Sequence, residues 1–367
     1  MSHFEIFERS TEYFLQPALG LLHDSSVTEI LINGPDDIYF ERAGKLHRHE
    51  TSYGDPDFLR AAAVNIAEYV DRPLDEDHPM VDARLPNGSR VNIVIPPLSR
   101  QGICISIRKF PEMRFTLQGL IDRGSLTETA AEFLDLCVKL KKNVVIAGGT
   151  GTGKTSMLNA LSGCIDKSER IVVIEDSSEL KLHQPHTLYL EAQPAREGGR
   201  DAVTIRELFA NSLRMRPDRI VVGEVRRGEA LDMLQSMIAG HAGALTTVHA
   251  SDPRAALTRL EMLSMQSDVA ISSDVARMQV SAAIDLVIQI HRDNEGSRCI
   301  TRITEISSNL DRGDYVIQDL FRKTATTLDD GTTARRLQWT GRRPNFADEL
   351  EENGLGHLAR LTKEVFA

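Results

Sequence analysis

The stretch that most constrains this chain is Val144-Val145-Ile146-Ala147-Gly148-Gly149-Thr150-Gly151-Thr152-Gly153-Lys154-Thr155. An apolar run of strand type feeds a glycine-rich loop, and the loop opens into the helix-prone Ser156-Met157-Leu158-Asn159-Ala160-Leu161. Strand, phosphate loop and helix in this order describe a P-loop nucleotide site. The glycines let the backbone curl until successive N–H groups point inward, and the following helix adds the partial positive charge of its N-terminus. Gly149, Thr150, Gly151, Thr152, Gly153 and Ser156 are expected to line the phosphates. Lys154 would reach the β/γ-phosphates of ATP, and the Thr155 hydroxyl would hold Mg²⁺.

A chain of 367 residues has room for two or three domains with a sizeable core. Its formal charge of −10 argues against a dedicated nucleic-acid binder, because phosphate contacts need a basic face. No apolar stretch approaches the roughly 18 residues that cross a bilayer. The start, Met1-Ser2-His3-Phe4-Glu5, lacks the basic region of a signal peptide. Cys104, Cys137, Cys164 and Cys299 stand singly, so neither a zinc site nor a disulfide framework is expected, and the compartment reads as reducing.

Phe4, Phe7, Phe14, Ala18, Leu21 and Leu22 fall near helical spacing, which predicts one amphipathic helix. Its polar face is almost without Lys and Arg, so it should pack on its own domain rather than lie on a membrane. Val27–Ile32 and Ile38–Glu41 around Asn33-Gly34-Pro35 predict a strand pair, and a helix is expected from about Asp55 to before Pro73. Two strands joined at Pro86-Asn87-Gly88 and a further strand over Ile103–Phe110 complete a small α+β domain, residues 1–110. Alternation stops at 111–116, the expected linker.

Residues 117–292 change pattern. Val144–Ala147, Ile171–Ile174, Ile220–Val222, Leu245–Val248 and Asp285–Ile290 are short and apolar, as parallel strands covered on both faces must be. The expected fold is therefore α/β: a RecA-like doubly wound P-loop NTPase core with its chemistry at the carboxyl ends of the strands, preceded by the α+β domain. Residues 293–367 read as an extension packed on that core, with strand-like pieces at Ile300–Ile306 and Tyr315–Leu320 and a short helical stretch after Pro344.

ATP hydrolysis needs one carboxylate for the attacking water and another acid for Mg²⁺. Ile171–Ile174 runs into Glu175-Asp176, and Ile220–Gly223 runs into Glu224. Strands adjacent to the phosphate-loop strand must end near the phosphates, so these acids are the candidates. A third strand ends in His249, which could sense the γ-phosphate. His241 lies in the preceding Ala239-Gly240-His241-Ala242-Gly243, and its role stays open.

These segments together resemble the secretion ATPases of type II, type IV and pilus-assembly machines. Glu175-Asp176-Ser177-Ser178-Glu179-Leu180 resembles the Asp box, Arg216 through Arg226 the Walker B region, and Gly240 through Ala250 the His box. Val27-Thr28-Glu29-Ile30 with Asn33-Gly34, Leu85-Pro86-Asn87-Gly88-Ser89-Arg90-Val91-Asn92 and Gly341-Arg342-Arg343-Pro344-Asn345-Phe346 look like the Tad/Flp pilus assembly ATPases. The resemblance implies an ATPase working as a ring, most often a hexamer. It implies a cytoplasmic protein held at the inner membrane through a platform partner that polymerises pilin. It also implies that Arg90 and Arg108 close over the γ-phosphate, with Arg84 a third candidate, and that Arg206 lies at a domain interface. Lys154 keeps the role given above, Glu224 joins Thr155 in holding Mg²⁺, and Glu175 positions the attacking water. Three alternatives stand beside this reading: a conjugation or type IV secretion ATPase, a RecA-like nucleic-acid motor, and a scaffold that binds ATP without turning it over. The acidic charge and the lack of a basic, aromatic stripe weigh against the nucleic-acid motor, and intact Glu175 and Glu224 weigh against the scaffold.

Overall fold

A computed structural model describes residues 3–109, 115–193, 195, 202–293, 296–309, 314–327 and 333–367. The chain divides into two compact units, 1–113 and 114–367. Most of the expected linker, 111–114, lies outside the described residues, as does Phe110 at the end of the last expected strand of the first domain.

The first unit opens with α1 (His3–Phe14), a 3-10 turn (Gln16–Ala18) and α2 (Leu19–His23). The single helix expected here is thus broken, and Pro17 is the reason, since it has no N–H to bond back into a helix. Strands β1 (Val27–Asn33), β2 (Ile38–Arg42) and β3 (Lys45–Arg48) follow. Next come α3 (Pro56–Tyr69), β4 (Met80–Arg84), β5 (Arg90–Val94) and β6 (Cys104–Arg108). They form an antiparallel sheet ordered β3-β2-β1-β6-β5-β4. Asp55 starts α3 by accepting the Asp57 N–H, with Pro56 preset at the first helical position. Leu59, Ala62, Ala63 and Ile66 of α3 join Ile30, Ile32, Ile93, Ile105 and Ile107 of the sheet in one core.

The second unit begins with α4 (Leu117–Asp122), capped by Thr116, and α5 (Glu128–Lys139). The alternating part runs β7 (Val144–Gly148), α6 (Lys154–Ser162), β8 (Ile171–Glu175), β9 (Thr187–Glu191), α7 (Ile205–Ser212) and β10 (Arg219–Val222). It continues through α8 (Glu229–Ile238), β11 (Leu245–His249), α9 (Pro253–Ser264), α10 (Ser273–Ala283) and β12 (Leu286–Arg292). Strands β13 (Arg298–Asn309), β14 (Asp314–Thr327) and β15 (Thr333–Trp339) precede the short helices α11 (Glu349–Glu352) and α12 (Lys363–Phe366).

All of these strands form one sheet, ordered β15-β14-β13-β12-β7-β11-β10-β8-β9. Pairing is parallel from β12 to β9 and antiparallel from β12 to β15. Strand β7, which leads into the glycine loop, is therefore flanked by β11 and β12, while the strands leading to Glu224 and Glu175 stand second and third from it. Side chains alternate between two cores. Val144, Ile146 and Ile288 meet Phe133 and Leu134 of α5 and Leu158 of α6. Val145, Ala147 and Val287 meet Leu234, Leu257 and Val280 of α8, α9 and α10 on the other face.

The amino ends of the strands are closed by a polar brace. Arg219 has a fully buried side chain and pairs with Glu169 through Nε at 2.6 Å and Nη2 at 3.2 Å. It also donates to the carbonyls of Val138 at 2.7 Å and Gly243 at 3.2 Å. Gly243 has φ +80°, and a Cβ there would fall 1.9 Å from Arg219 Nη1, so this position has to be glycine. Beside it, Asn143 accepts the N–H groups of Gly243 and Ala244 at 2.8 and 3.0 Å and donates to the Ala283 carbonyl at 2.7 Å.

Candidate functional site

At the opposite, carboxyl ends of the same strands, β7 runs straight into the glycine loop. Gly148 is pressed against its surroundings: a Cβ there would lie 2.5 Å from Thr152 Oγ1 and 2.9 Å from the Ile290 carbonyl oxygen. Gly151 and Gly153 have φ of +68° and +97°, the left-handed turns that bring the chain round into α6. Thr152 Oγ1 donates to the Gly149 carbonyl at 2.9 Å, and Thr150 is exposed at the loop's apex. Lys154 is buried, and Ser156 lies half-buried in the first turn of α6.

The Lys154 ammonium donates to the carbonyls of Gly148 at 3.2 Å and Gly149 at 2.9 Å. It also lies 3.3 Å from the His249 ring nitrogens at the end of β11. His249 Nε2 stands 3.0 Å from Glu224 Oε1. Burial, with the Lys154 cation second, lowers the His249 pKa. A neutral imidazole between an ammonium and a carboxylate can change hydrogen-bond partner without any change in local charge. Glu224 is further held by Arg226, whose guanidinium reaches Glu224 Oε2 at 2.8 Å and Asp176 Oδ2 at 3.0 Å.

Glu175 closes β8 as a buried carboxylate. Its Oε1 accepts the N–H groups of Glu179 at 2.9 Å and Leu180 at 3.1 Å. Burial outweighs those two bonds and pushes its pKa up to about 7. That value suits a group that must accept a proton at neutral pH. Gly223, at the end of β10, leaves the space that Glu175 fills, since a Cβ there would come 2.9 Å from Glu175 Cγ.

Thr155 Oγ1 lies 3.4 Å from Glu179 Oε2. A hydroxyl beside a carboxylate is the oxygen-donor chemistry that Mg²⁺ takes, usually with one or two carboxylates and the substrate's phosphates. Glu179 and Arg226 are residues that reading the sequence missed as individuals, although both fall inside quoted segments. The available signal was their place one turn beyond a strand end.

The remaining candidates separate. His241 lies before β11, at the amino ends of the strands, so the His box spans the sheet and only His249 reaches the loop. Arg206 gives its guanidinium to Asp232 at 2.7 Å and to Asp268, both in its own unit. In the first unit, Arg84 pairs with Arg90 and Arg90 with Arg108 in register, so the three form one row across β4, β5 and β6. The row continues into β1, where Glu29 pairs with Arg108 and lies 4.0 Å from its Nε. Like charges directly opposite one another weaken a sheet, and such a row suits an anionic ligand.

Residues 15–331 match the family described as type II/IV secretion system protein. Over 325 residues the chain is 34% identical to the type IV secretion system protein PtlH of Bordetella pertussis, covering 82% of this chain and 95% of PtlH. Over 326 residues it is 32% identical to the type IV secretion system protein VirB11 of Bartonella quintana, covering 79% of this chain and 91% of that protein. In fold it is similar to the ATPase DotB of Legionella pneumophila, with a TM-score of 0.56 at 17% identity and 82% of each chain covered.

Proposed function

This chain belongs to the family of type II/IV secretion system proteins, and we propose that it is an ATP-hydrolysing motor of that family. The observation that carries the proposal is the meeting of Lys154, His249 and Glu224 at the mouth of one glycine loop, with Glu175 buried and proton-accepting in the same row of strand ends. Lys154 and the loop amides hold the phosphates. Glu175 orients the attacking water and takes its proton. Thr155, Glu179 and Glu224 supply the oxygens that would hold Mg²⁺, which when bound offsets charge on the phosphates. His249, linked to both Lys154 and Glu224, responds to the γ-phosphate. Arg90 and Arg108 bring guanidinium charge to the same phosphoryl oxygens, and loss of that partner on hydrolysis biases the arrangement of the N-terminal domain.

The finer reading is a Tad/Flp-type pilus assembly motor, acting as a hexamer in the cytoplasm and passing its motion to an inner-membrane platform protein. It rests on the segments Val27–Ile30 with Asn33-Gly34, Leu85–Asn92 and Gly341–Phe346. No helix among the described residues is long and apolar enough to cross a membrane, which is consistent with attachment through such a partner. A second reading, a type IV secretion motor, is favoured by the similarity to PtlH and VirB11.

The test is the Mg²⁺-dependent ATPase rate per subunit across protein concentration, with oligomeric mass followed in parallel. Turnover that rises as rings form and vanishes in Glu175→Gln is expected. A flat rate from a monomer would sink the ring. Co-purification of the chromosomally tagged protein with a pilus platform or with a type IV secretion apparatus separates the two readings.

A further inference from the structure

The hairpin between β12 and β13 carries an arginine on each limb, and both reach the phosphate loop. Arg292 and Arg298 face each other in the antiparallel register. Arg298 Nε donates to the Gly151 carbonyl at 3.0 Å, and its Cδ lies 3.3 Å from where a side chain on Gly153 would begin. Arg292 Nη1 lies 3.5 Å from the equivalent point on Gly151. The stem of Arg298 therefore crosses the loop at Gly153 and its head fastens on Gly151, with a second cation alongside.

The support behind Arg298 is fixed. Its own carbonyl accepts the Ser125 hydroxyl at 2.6 Å, and the Ile300 N–H donates to the Ser125 carbonyl at 3.1 Å. The loop that it holds is rich in glycine, the residue that loses most backbone freedom on ordering. In a trans peptide the carbonyl and the next N–H point opposite ways. Holding the Gly151 carbonyl outward thus turns the Thr152 N–H inward, to the side where a phosphate oxygen is cradled.

We propose that Arg298 is a positioning residue for the bound nucleoside di- or triphosphate, bracing the phosphate loop from outside so that its amides are aimed before the ligand arrives. The proposal rests on the reading of this loop as a nucleotide site. A brace of this kind contributes to binding and leaves the chemical step alone, because the same amides serve ADP and ATP alike.

The test is titration of the full-length protein with ADP, together with steady-state ATPase kinetics, on Arg298→Ala, Arg298→Gln and Arg298→Lys, with Lys154→Ala alongside. Arg298→Ala and the milder Arg298→Gln should weaken ADP about fivefold, as loss of an exposed charge-assisted bond implies. They should raise KM for ATP by a similar factor and hold kcat within about twofold, while Arg298→Lys recovers part of the affinity. ADP affinity unchanged in both Arg298→Ala and Arg298→Gln, or kcat lowered with KM and ADP affinity intact, would overturn the bracing role. So would equal falls in kcat and in nucleotide-free thermal stability. Lys154→Ala reports on the underlying reading: if it too binds ADP normally, the nucleotide site itself is wrong, whereas its failure with Arg298→Ala intact removes only the brace.

Discussion

The two ends of the parallel strands in the second unit use the same kinds of side chain to opposite effect. At the amino ends, Arg219 is buried with four acceptor contacts and Asn143 holds three backbone groups, so each nitrogen of the guanidinium meets an oxygen. At the carboxyl ends, Glu175 is buried with an unfavourably raised pKa, and Lys154 rests on the carbonyls of its own loop. The brace is built to stay as it is, whereas the site holds groups that a phosphate would rearrange. Stability and chemistry are separated by the length of a five-residue strand.

The largest expected effect tests the brace. Arg219→Ala takes the buried guanidinium from Glu169, which keeps Lys141 at 3.5 Å, and from the carbonyls of Gly243 and Val138, and should cost about 3–5 kcal/mol of stability, read from urea denaturation. A loss under about 1 kcal/mol would mean that the amino ends do not carry the fold. Glu175→Gln should do the reverse. The Glu175 carboxyl titrates near 7 in the folded protein against 4.5 when unperturbed. The folded state thus holds that proton more tightly, and its contribution is present below about pH 4.5 and lost as pH rises through 7. At pH 8 the substitution should stabilise the nucleotide-free protein by up to about 3 kcal/mol and at pH 4.5 by almost nothing. It should also lower turnover by at least about 100-fold, and the wild-type kcat/KM should rise with pH through about 7. Destabilisation at pH 8 would erase the contrast between the ends.

Gly223→Ala sharpens it, because the added methyl displaces Glu175 without touching its charge. Turnover about tenfold lower with ADP affinity unchanged is expected from steady-state kinetics and titration. The smallest effect belongs to His249→Gln. It keeps a hydrogen-bonding group between Lys154 and Glu224 and should raise KM for ATP about threefold, with unfolding midpoints unchanged. A total loss of turnover would move His249 from sensing to the chemistry itself.

Much of this was legible in the sequence, for identifiable reasons. The inner parallel strands are apolar on both faces, so composition alone marks them, and Asp55-Pro56 announces α3 because capping is a local matter. Strands β3 and β15 escaped, since edge strands rich in polar residues look like loops, and β9 escaped as a short half-buried run. Strand order escaped too: which strand neighbours β7 depends on how the crossovers run, and no residue states it. The site divides the same way. Lys154, Glu175, Glu224 and His249 follow from strand ends, but Arg219 reads as one more charge before a strand until its burial is seen. Gly243 groups with the His box by sequence, and the need for it comes from Arg219, 24 positions earlier.

The antiparallel extension carries a practical consequence for anyone dividing the gene. Sequence pattern invites a cut near residue 293, yet β13 hydrogen-bonds along the full length of β12. Removing β13 and the rest of the extension would bare a row of unpaired amides on an apolar strand beside the glycine loop. Such an edge templates strands from other molecules, so a shortened protein should come out of the cell as aggregate.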